Sequence, residues 1–356
     1  MKCLSAIWSR IQQSLFPDLV ESLGPLSPRQ LRLVATLELV RIEDHIPPHP
    51  FRAPGRPQKD RVAIARAFVL KAVYDLPTTR ALLDLLSSSP PLRRICGWEL
   101  HAHLPSESVF SRAFASFASS GLLQVVHLAL VEKYEKPRVV GHLSRDSCAI
   151  HARETPMKRP KRQRGRPKDT SPKKPTRLAR QTAGMSLADM LADLPTVCDR
   201  GCKRNSKGYT EAWNGYKLHV DWADGGIPVS CLLTSASLHD SQVAIPLATM
   251  SQQRLSTIFY DLMDSAYDAK EIRAHSLAMG HVPIIEQNPR RRTMTKFELA
   301  TQVRYNERTN AERGFARLED EFGGRTVRVR GHAKVLTHLL FGLIALLADQ
   351  LMRLVC

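Results

Sequence analysis

A change of pattern near Arg138 divides the chain into a helical part and a part that contains strands. The first 136 residues place apolar side chains at helical spacing and contain no run typical of a strand. From residue 138 onward, alternating and β-branched runs are interleaved with helical segments. This order predicts an all-α N-terminal domain over 1–136, for DNA binding or dimerisation, and an α/β domain over 137–356.

The charge of the chain indicates what kind of partner it binds. A formal net charge of +18 favours a polyanion, of which nucleic acid is the commonest. Seven irregularly spaced cysteines are not typical of a disulfide framework, which indicates a reducing compartment. The apolar run 339–348 is shorter than the roughly 18 residues that a membrane span needs, so we expect a buried helix. The expected location is the cytoplasm, with no membrane partner.

The N-terminal domain has the character of a small helical DNA-binding domain. Ser27 and Pro28 have the residue types of a helix N-cap and first turn. Seven basic residues of this domain are candidate phosphate contacts, and the solvated face of an ordinary helical bundle is an equally good interpretation. They are Arg61, Arg66, Lys71, Arg80, Arg93, Arg94 and Arg112.

Two acidic residues occupy unusual positions in predicted strands. Residues 138–150 alternate in character, and the alternation places Asp146 in the middle of a strand, where a free carboxylate is uncommon. Asp264 follows a second strand at its C-terminal end, the usual place for ligands in an α/β sheet. We interpret both as functional residues, and Asp261 as a charge at a strand edge.

Residues 305–320 predict one helix with a chemically unusual face. Tyr305, Arg308, Glu312 and Glu319 fall within a sector about 60° wide. A carboxylate at the edge of a core is unfavourable unless it is paired or binds a metal, and Arg308 lies one turn before Glu312. The neighbouring sector of this helix is apolar and consists of Ala311, Phe315, Leu318 and Phe322.

A basic segment interrupts the second domain. Residues 158–177 contain ten Lys or Arg and a single acid, with no apolar face, which predicts a disordered arm inside a flexible insertion at about 153–185. The run Arg-Gly-Arg-Pro at 164–167 resembles the core of an AT-hook, which inserts arginines into a narrow minor groove. A general phosphate-neutralising tail is the alternative. Both interpretations make Arg164, Arg166 and Lys168 DNA contacts.

Residues 212–237 predict two strands joined by a turn at the run Asp-Gly-Gly, 224–226. Aromatic and basic residues are interleaved at the start of this hairpin, which makes Lys217 a candidate DNA contact. The alternative for the aromatic residues is cross-strand packing in the core. After the hairpin, we interpret Asp240 as the N-cap of a helix.

The order of these residues resembles that of the DDE transposases of bacterial insertion sequences. The likeness covers about 138–350 and includes the run Asp-Ser-Ala-Tyr at 264–267. It also includes the signature Tyr, two residues, Arg, three residues, Glu, six residues, Lys, which begins here at Tyr305. The chain departs from this signature at its last position, where Glu319 replaces the lysine. Arg313 and Arg317 are the candidates for the phosphate contact of that lysine.

The resemblance implies a fold and a chemistry. The fold is an RNase H-like mixed sheet flanked by helices, and the reaction is metal-dependent cleavage at the ends of an insertion element followed by transfer of the 3′-hydroxyl ends into target DNA. Asp146 would bridge two Mg²⁺ ions, with Asp264 and Glu312 each completing one, and Mn²⁺ would substitute. The implied supporting residues, which orient Glu312 or contact a phosphate, are Arg308, Tyr305 and Tyr267.

The implied partner is double-stranded DNA, both the terminal inverted repeats of the element and the target. The resemblance also implies a homodimer in the DNA complex and a location at the bacterial nucleoid. Two other functions fit parts of the sequence: a non-catalytic basic DNA-binding protein, and a nuclease that cuts without strand transfer.

Overall fold

The computed structural model describes residues 25–47, 59–158, 175–204, 208–288 and 296–355. The chain divides into two compact units. The first comprises Met1–Tyr134, Phe315–Val329 and Ala333–Cys356, and the second comprises Glu135–Gly314 and Arg330–His332. The predicted domain boundary between 136 and 137 stays a prediction. Residues 164–168, with the predicted DNA contacts Arg164, Arg166 and Lys168, lie outside the described residues.

The N-terminal region of the first unit is helical, as predicted. Its first helix starts at a capping box, in which the hydroxyl of Ser27 accepts from the Gln30 amide at 3.4 Å and the Gln30 side chain accepts from the Ser27 amide at 2.8 Å. Phe68 packs against the rings of Phe110 and Phe114, at centroid distances of 5.7 and 5.0 Å. The helices are α1 (Pro28–Val40), α2 (Arg61–Val73), α3 (Thr79–Ser88), α4 (Pro90–Cys96), α5 (Glu107–Ser120) and α6 (Leu122–Tyr134).

Two of the seven candidate phosphate contacts in this region are buried. Arg93 is 8% exposed and donates to the Leu86 carbonyl at 3.0 Å, and Lys71 is 9% exposed. The prediction of a phosphate contact is therefore wrong for these two residues. Arg66 forms an ion pair with Glu43 at 3.1 Å.

A six-stranded mixed sheet forms the centre of the second unit, which confirms the predicted fold class. The order along the sheet is β2-β3-β1-β5-β6, and β4 also pairs with β3. β1 runs antiparallel to β3 and parallel to β5, and β5 runs parallel to β6. The strands are β1 (Val139–His151), β2 (Asp199–Arg204), β3 (Thr210–Ala223), β4 (Ile227–Ser235), β5 (Thr257–Met263) and β6 (Val282–Ile285). This arrangement fits an RNase H-like fold.

Seven helices follow β1 in the described chain. They are α7 (Arg177–Thr182), α8 (Leu187–Ala192), α9 (Ser241–Arg254), α10 (Lys270–Ala278), α11 (Leu299–Asn306), α12 (Thr309–Glu321) and α13 (His332–Val355). Helix α7 lies within the predicted flexible range, so regular structure resumes earlier than expected. The reason is pairing: Arg177 and Arg180 contact the Asp193 carboxylate at 2.6 and 2.8 Å. The hairpin turn between β3 and β4 is confirmed, with Gly225 and Gly226 at positive φ.

The predicted single helix over 305–320 is wrong, because the helix is interrupted between Asn306 and Thr309. The hydroxyl of Thr309 donates to the Asn306 carbonyl at 2.9 Å, and the amide of Asn310 bonds the Glu307 carbonyl instead. A side chain thus competes with the backbone for the acceptor that a continuous helix would use. The apolar sector is buried as expected, and Ala311 and Leu318 are each 0% exposed.

The face of the sheet that carries Arg145 contains a buried polar network. The Arg145 guanidinium bonds both oxygens of Asp221 at 2.8 Å, and neither side chain is more than 1% exposed. Asp261 is also fully buried and pairs with His281 at 3.2 Å. The interpretation of Asp261 as a charge at a strand edge is therefore wrong. The imidazole of His281 and the guanidinium of Arg145 compensate the Asp261 carboxylate in the interior.

Helix α13 is long and apolar enough to cross a membrane by length and composition alone. In the structure, 78% of its apolar stretch is buried. Residues 339–348 are buried throughout, which confirms the prediction of a buried helix.

Candidate active site

Asp146 lies in β1 on the face of the sheet that the segment between α11 and α12 approaches. Alternation along β1 puts its side chain on the same face as Ser144, whose hydroxyl donates to the Glu307 carbonyl at 3.3 Å. The amide of Ser147 donates to Asp146 Oδ1 at 2.7 Å. Burial raises the pKa of Asp146 to about 7, and the carboxylate of Asp264 acts in the same direction. The Asp146 carboxylate is therefore protonated more readily than an exposed one.

Arg308 joins the first predicted acid to the third. Its guanidinium lies 3.4 Å from Asp146 Oδ2 and 2.8 Å from Glu312 Oε1. The interruption between α11 and α12 brings Arg308 to this position, because it turns the chain beside β1 just before Glu312. The side chain of Glu312 is 56% exposed, so this acid faces the solvent side of the group.

Asp264 follows β5 directly, and its Oδ1 accepts from the Ala266 amide at 2.9 Å. Burial raises its pKa, and the carboxylates of Asp240 and Glu286 act in the same direction. Tyr267, the last residue of the Asp-Ser-Ala-Tyr run, is 1% exposed. Among the described residues its hydroxyl has no hydrogen-bond partner. The electrostatic effect of Asp146 and Asp264 on Tyr267 places this hydroxyl in the neighbourhood of the acids.

Tyr305 and Glu286 form the rim of the site on the side of β6. The Tyr305 hydroxyl donates to Glu286 Oε2 at 3.3 Å, and burial raises the pKa of Tyr305 to about 12. Glu286 directly follows β6, a strand parallel to β5, so both strands present an acid at the same edge. Glu286 was not among the predicted site residues. Its position directly after a predicted strand is the feature that could have indicated it.

Asp240 is a second acid with an unexpected environment. It is the N-cap residue of α9, as predicted, but its side chain makes no capping hydrogen bond. Its Oδ1 instead accepts from Lys217 Nζ at 2.9 Å, and the hydroxyl of Ser147 also bonds the carboxylate. Lys217 is 14% exposed. Its predicted role in DNA binding stays a prediction, while its ammonium is already paired here.

No three His, Cys, Asp or Glu side chains within the described ranges lie close enough to hold one metal ion. In the predicted arrangement Asp146 would be shared by two ions, and Asp264 and Glu312 would each complete one, so three acids around a single ion are not expected. Carboxylate oxygens are the ligands that Mg²⁺ prefers. The raised pKa of Asp146 and the unpaired buried hydroxyl of Tyr267 both fit a site that takes up positive charge and water.

The two candidates to replace the signature lysine differ in their partners. Arg317 bonds Glu321 at 2.9 Å and Asp349 at 2.5 Å, so its guanidinium is neutralised. The Arg313 guanidinium donates to the neutral side-chain oxygen of Asn310 at 2.6 Å, and the described residues show no carboxylate paired with it. Arg313 is therefore the better candidate for a phosphate contact.

The six-stranded mixed sheet and its flanking helices fit the RNase H-like class of fold, and Asp264 and Glu286 directly follow two of its strands. Two family models match the chain: the Transposase DDE domain over residues 195–348, and the Transposase domain (DUF772) over residues 26–116. The chain therefore belongs to the DDE-type transposases of insertion elements. Asp264 and Glu312 lie within the first match and Asp146 lies outside it. No curated protein matches the chain.

Proposed function

We propose that this transposase cleaves the phosphodiester at the ends of its insertion element and transfers the 3′-hydroxyl ends into target DNA. The observation that supports this most directly is the pair of contacts from one guanidinium to Asp146 and Glu312, beside a third acid, Asp264. The proposal includes membership in the group with the Tyr-Arg-Glu-Lys signature.

Asp146, Asp264 and Glu312 would hold the proposed Mg²⁺ or Mn²⁺ ions, with Asp146 contributing to both. Such ions activate the attacking oxygen on one side of the phosphorus and stabilise the leaving oxygen on the other. The protein contributes rigid carboxylates, since Asp146 and Asp264 are each held by a backbone amide. The Asp146 side chain is partly buried, with 22% of its surface exposed.

The supporting residues have separate proposed roles. Arg308 orients Glu312 through the contact at 2.8 Å and supplies positive charge next to the scissile phosphate. Tyr305 contacts a phosphate from the rim of the site. Tyr267 is buried, so its hydroxyl would bond water or a ligand inside the site. It could contact the scissile phosphate only if that phosphate entered the interior of the site.

The proposed partners are the terminal repeats and the target DNA, bound by a homodimer in the cytoplasm at the nucleoid. The net charge of +18 supports binding to a polyanion. The proposed contacts outside the active site are Arg164, Arg166, Lys168 and Lys217.

A nicking assay and a joining assay test the proposal together. We expect the wild type with Mg²⁺ to nick supercoiled plasmid and to join a labelled 3′-hydroxyl duplex of the element end to it. Asp264→Asn should abolish both activities. Asp193→Asn is the matched control, because Asp193 pairs with Arg177 and Arg180 rather than with Arg308, and it should retain both.

Two outcomes would contradict the proposal in different ways. Equal activity of the wild type and Asp264→Asn would leave a non-catalytic DNA-binding protein. Nicking that depends on Asp264, without any joined product, would indicate a nuclease.

A further inference from the structure

Asp240 occupies the first position before α9 and turns its carboxylate toward the sheet. It makes no capping bond, and its side chain is 21% exposed. Its partners come from two strands: the ammonium of Lys217 in β3, at 2.9 Å, and the hydroxyl of Ser147 in β1. A helix N-cap would not require either of them, so the carboxylate has another role.

Ser147 connects Asp240 to the first predicted metal ligand. Its hydroxyl bonds Asp240, while its backbone amide donates to Asp146 Oδ1 at 2.7 Å. The same residue therefore fixes one oxygen of Asp146 and leaves Oδ2 directed at Arg308, 3.4 Å away. A displacement of Ser147 would rotate the Asp146 carboxylate out of this orientation.

Lys217 holds Asp240 in place against the sheet. Its ammonium also donates to the Leu238 carbonyl at 3.0 Å, so it is fixed at two points. The antiparallel register places His219 opposite Ser147, on the same face as Lys217. Burial lowers the pKa of His219 to about 4, so its imidazole is neutral at pH 7 and Lys217 is the cation that pairs with Asp240.

We propose that Asp240 is a positioning residue for the metal-binding carboxylate of Asp146, acting through the Ser147 hydroxyl and held by Lys217. This inference rests on the proposed function, because it assumes that Asp146 binds a divalent cation. Asp240 itself is not proposed as a ligand, since its Oδ1 is bonded to the ammonium. Partners that orient a metal ligand typically change metal affinity by about 10-fold to 100-fold when removed.

Mn²⁺ binding to the full-length protein without DNA tests this role, measured from the electron paramagnetic resonance signal of free Mn²⁺. We expect Asp240→Asn and Ser147→Ala each to weaken binding about tenfold. If Asp240 acts through Ser147, the double variant should bind no more weakly than either single variant. Additive losses in the double variant would overturn the proposed route.

Asp193→Asn is the matched control, because Asp193 has a similar exposure of 23% and also pairs with basic side chains. Its Mn²⁺ affinity should equal that of the wild type. Thermal unfolding of each variant shows whether the fold is retained. If Asp240→Asn does not fold, Ser147→Ala alone decides, because it removes only one hydroxyl.

Lys217→Met distinguishes a role of Lys217 in holding Asp240 from a general effect of its positive charge on Mn²⁺ binding. Removing a cation near the acids would tighten Mn²⁺ binding if charge alone mattered, whereas loss of the anchor for Asp240 should weaken it. Tighter binding, or unchanged binding in Ser147→Ala, would overturn the inference. If the wild type binds no Mn²⁺, the proposed function itself fails. If the wild type binds Mn²⁺ but the variants do not behave as expected, only the positioning role of Asp240 fails.

Discussion

At the scale of single residues, Arg308 and a divalent cation require the same carboxylate oxygens. Its guanidinium contacts Asp146 at 3.4 Å and Glu312 at 2.8 Å. We expect Arg308→Gln to tighten Mn²⁺ binding by roughly tenfold, because a charge-assisted hydrogen bond of ~1.5–3 kcal/mol no longer competes. Equilibrium dialysis against Mn²⁺ measures this effect.

The same substitution should reduce nicking, because Arg308 orients Glu312 in the proposed site. Arg313→Gln is a suitable control for the binding experiment, since Arg313 bonds Asn310 rather than the acids. Weaker Mn²⁺ binding by Arg308→Gln would show that the guanidinium supports the metal site instead of competing with the metal.

Lys71 provides a pH-dependent prediction in the first unit. Burial lowers its pKa to about 8, whereas an unfolded chain has a lysine pKa of about 10.4. Below about pH 8 both states are protonated, and the folded state carries the full penalty of roughly 3 kcal/mol for a buried charge. Between these two pKa values the unfolded state binds more protons, so stability rises with pH.

Lys71→Met should therefore raise the melting temperature at pH 7, and its advantage over the wild type should shrink as the pH approaches 10. Differential scanning fluorimetry across this range measures the difference. Lys133→Met replaces an exposed lysine and is the control for the loss of one lysine. A constant difference for Lys71→Met would mean that the buried ammonium does not titrate in this range.

Sequence patterns were sufficient to identify Asp146 and Asp264 as candidates, because their positions in or after strands depend on local alternation. The environments of Asp240 and Asp261 were not predictable in this way. Their partners, Lys217 and His281, lie 23 and 20 residues away along the chain and meet them only through sheet pairing. Local rules about caps and strand edges therefore did not reveal which side chains these two carboxylates contact.

At the scale of elements, Gly314 sets how closely α12 approaches the sheet. A Cβ atom at this position would lie 2.5 Å from the ring of Trp222, a side chain of β3 that is 0% exposed. Gly314→Ala should destabilise the protein by about 1–3 kcal/mol, because neither the helix backbone nor the buried ring has room to move. Since Glu312 lies two residues earlier, nicking should also fall.

Chemical denaturation and the nicking assay measure these two effects. Trp222→Leu in the Gly314→Ala background removes the clashing ring and should recover part of the lost activity, although the smaller side chain leaves a cavity. An active, fully stable Gly314→Ala protein would show that the close approach is not needed.

The interruption between α11 and α12 shows where element prediction from sequence reaches its limit. Residues 305–320 contain no proline, and Gly314 is several residues after the interruption, so composition favours one helix. The competing bond from Thr309 to Asn306 and the contact of Glu307 with Ser144 decide otherwise. The second contact joins residues 163 positions apart and exists only in the folded sheet.

At the scale of the whole molecule, the alternation of strands and helices was enough to predict the sheet and the helical N-terminal region. It was not enough to predict which segments form one compact unit. Ala333–Cys356 groups with the N-terminal helices, although it is the last segment of the chain. Phe341 of this segment packs against Phe68 at 5.5 Å, a contact that no local pattern indicates.

The net charge of +18 predicts DNA binding that depends strongly on salt, and the basic segment tests where this binding originates. If Arg164, Arg166 and Lys168 each contact a phosphate, replacing all three by alanine should make the slope of log affinity against log salt less steep by roughly 3. The loss should be larger on A·T-rich than on G·C-rich duplexes, because an AT-hook reads a narrow minor groove.

Fluorescence anisotropy over a range of salt concentrations measures both effects. The matched control replaces three exposed lysines and removes the same charge: Lys133, Lys136 and Lys270. Its slope should change less than that of the segment variant, because a uniform reduction of charge acts mainly through long-range attraction, which salt already screens. Equal slopes for the two variants would show that the basic segment contributes only to net charge, and equal losses on both duplexes would rule out readout of the minor groove.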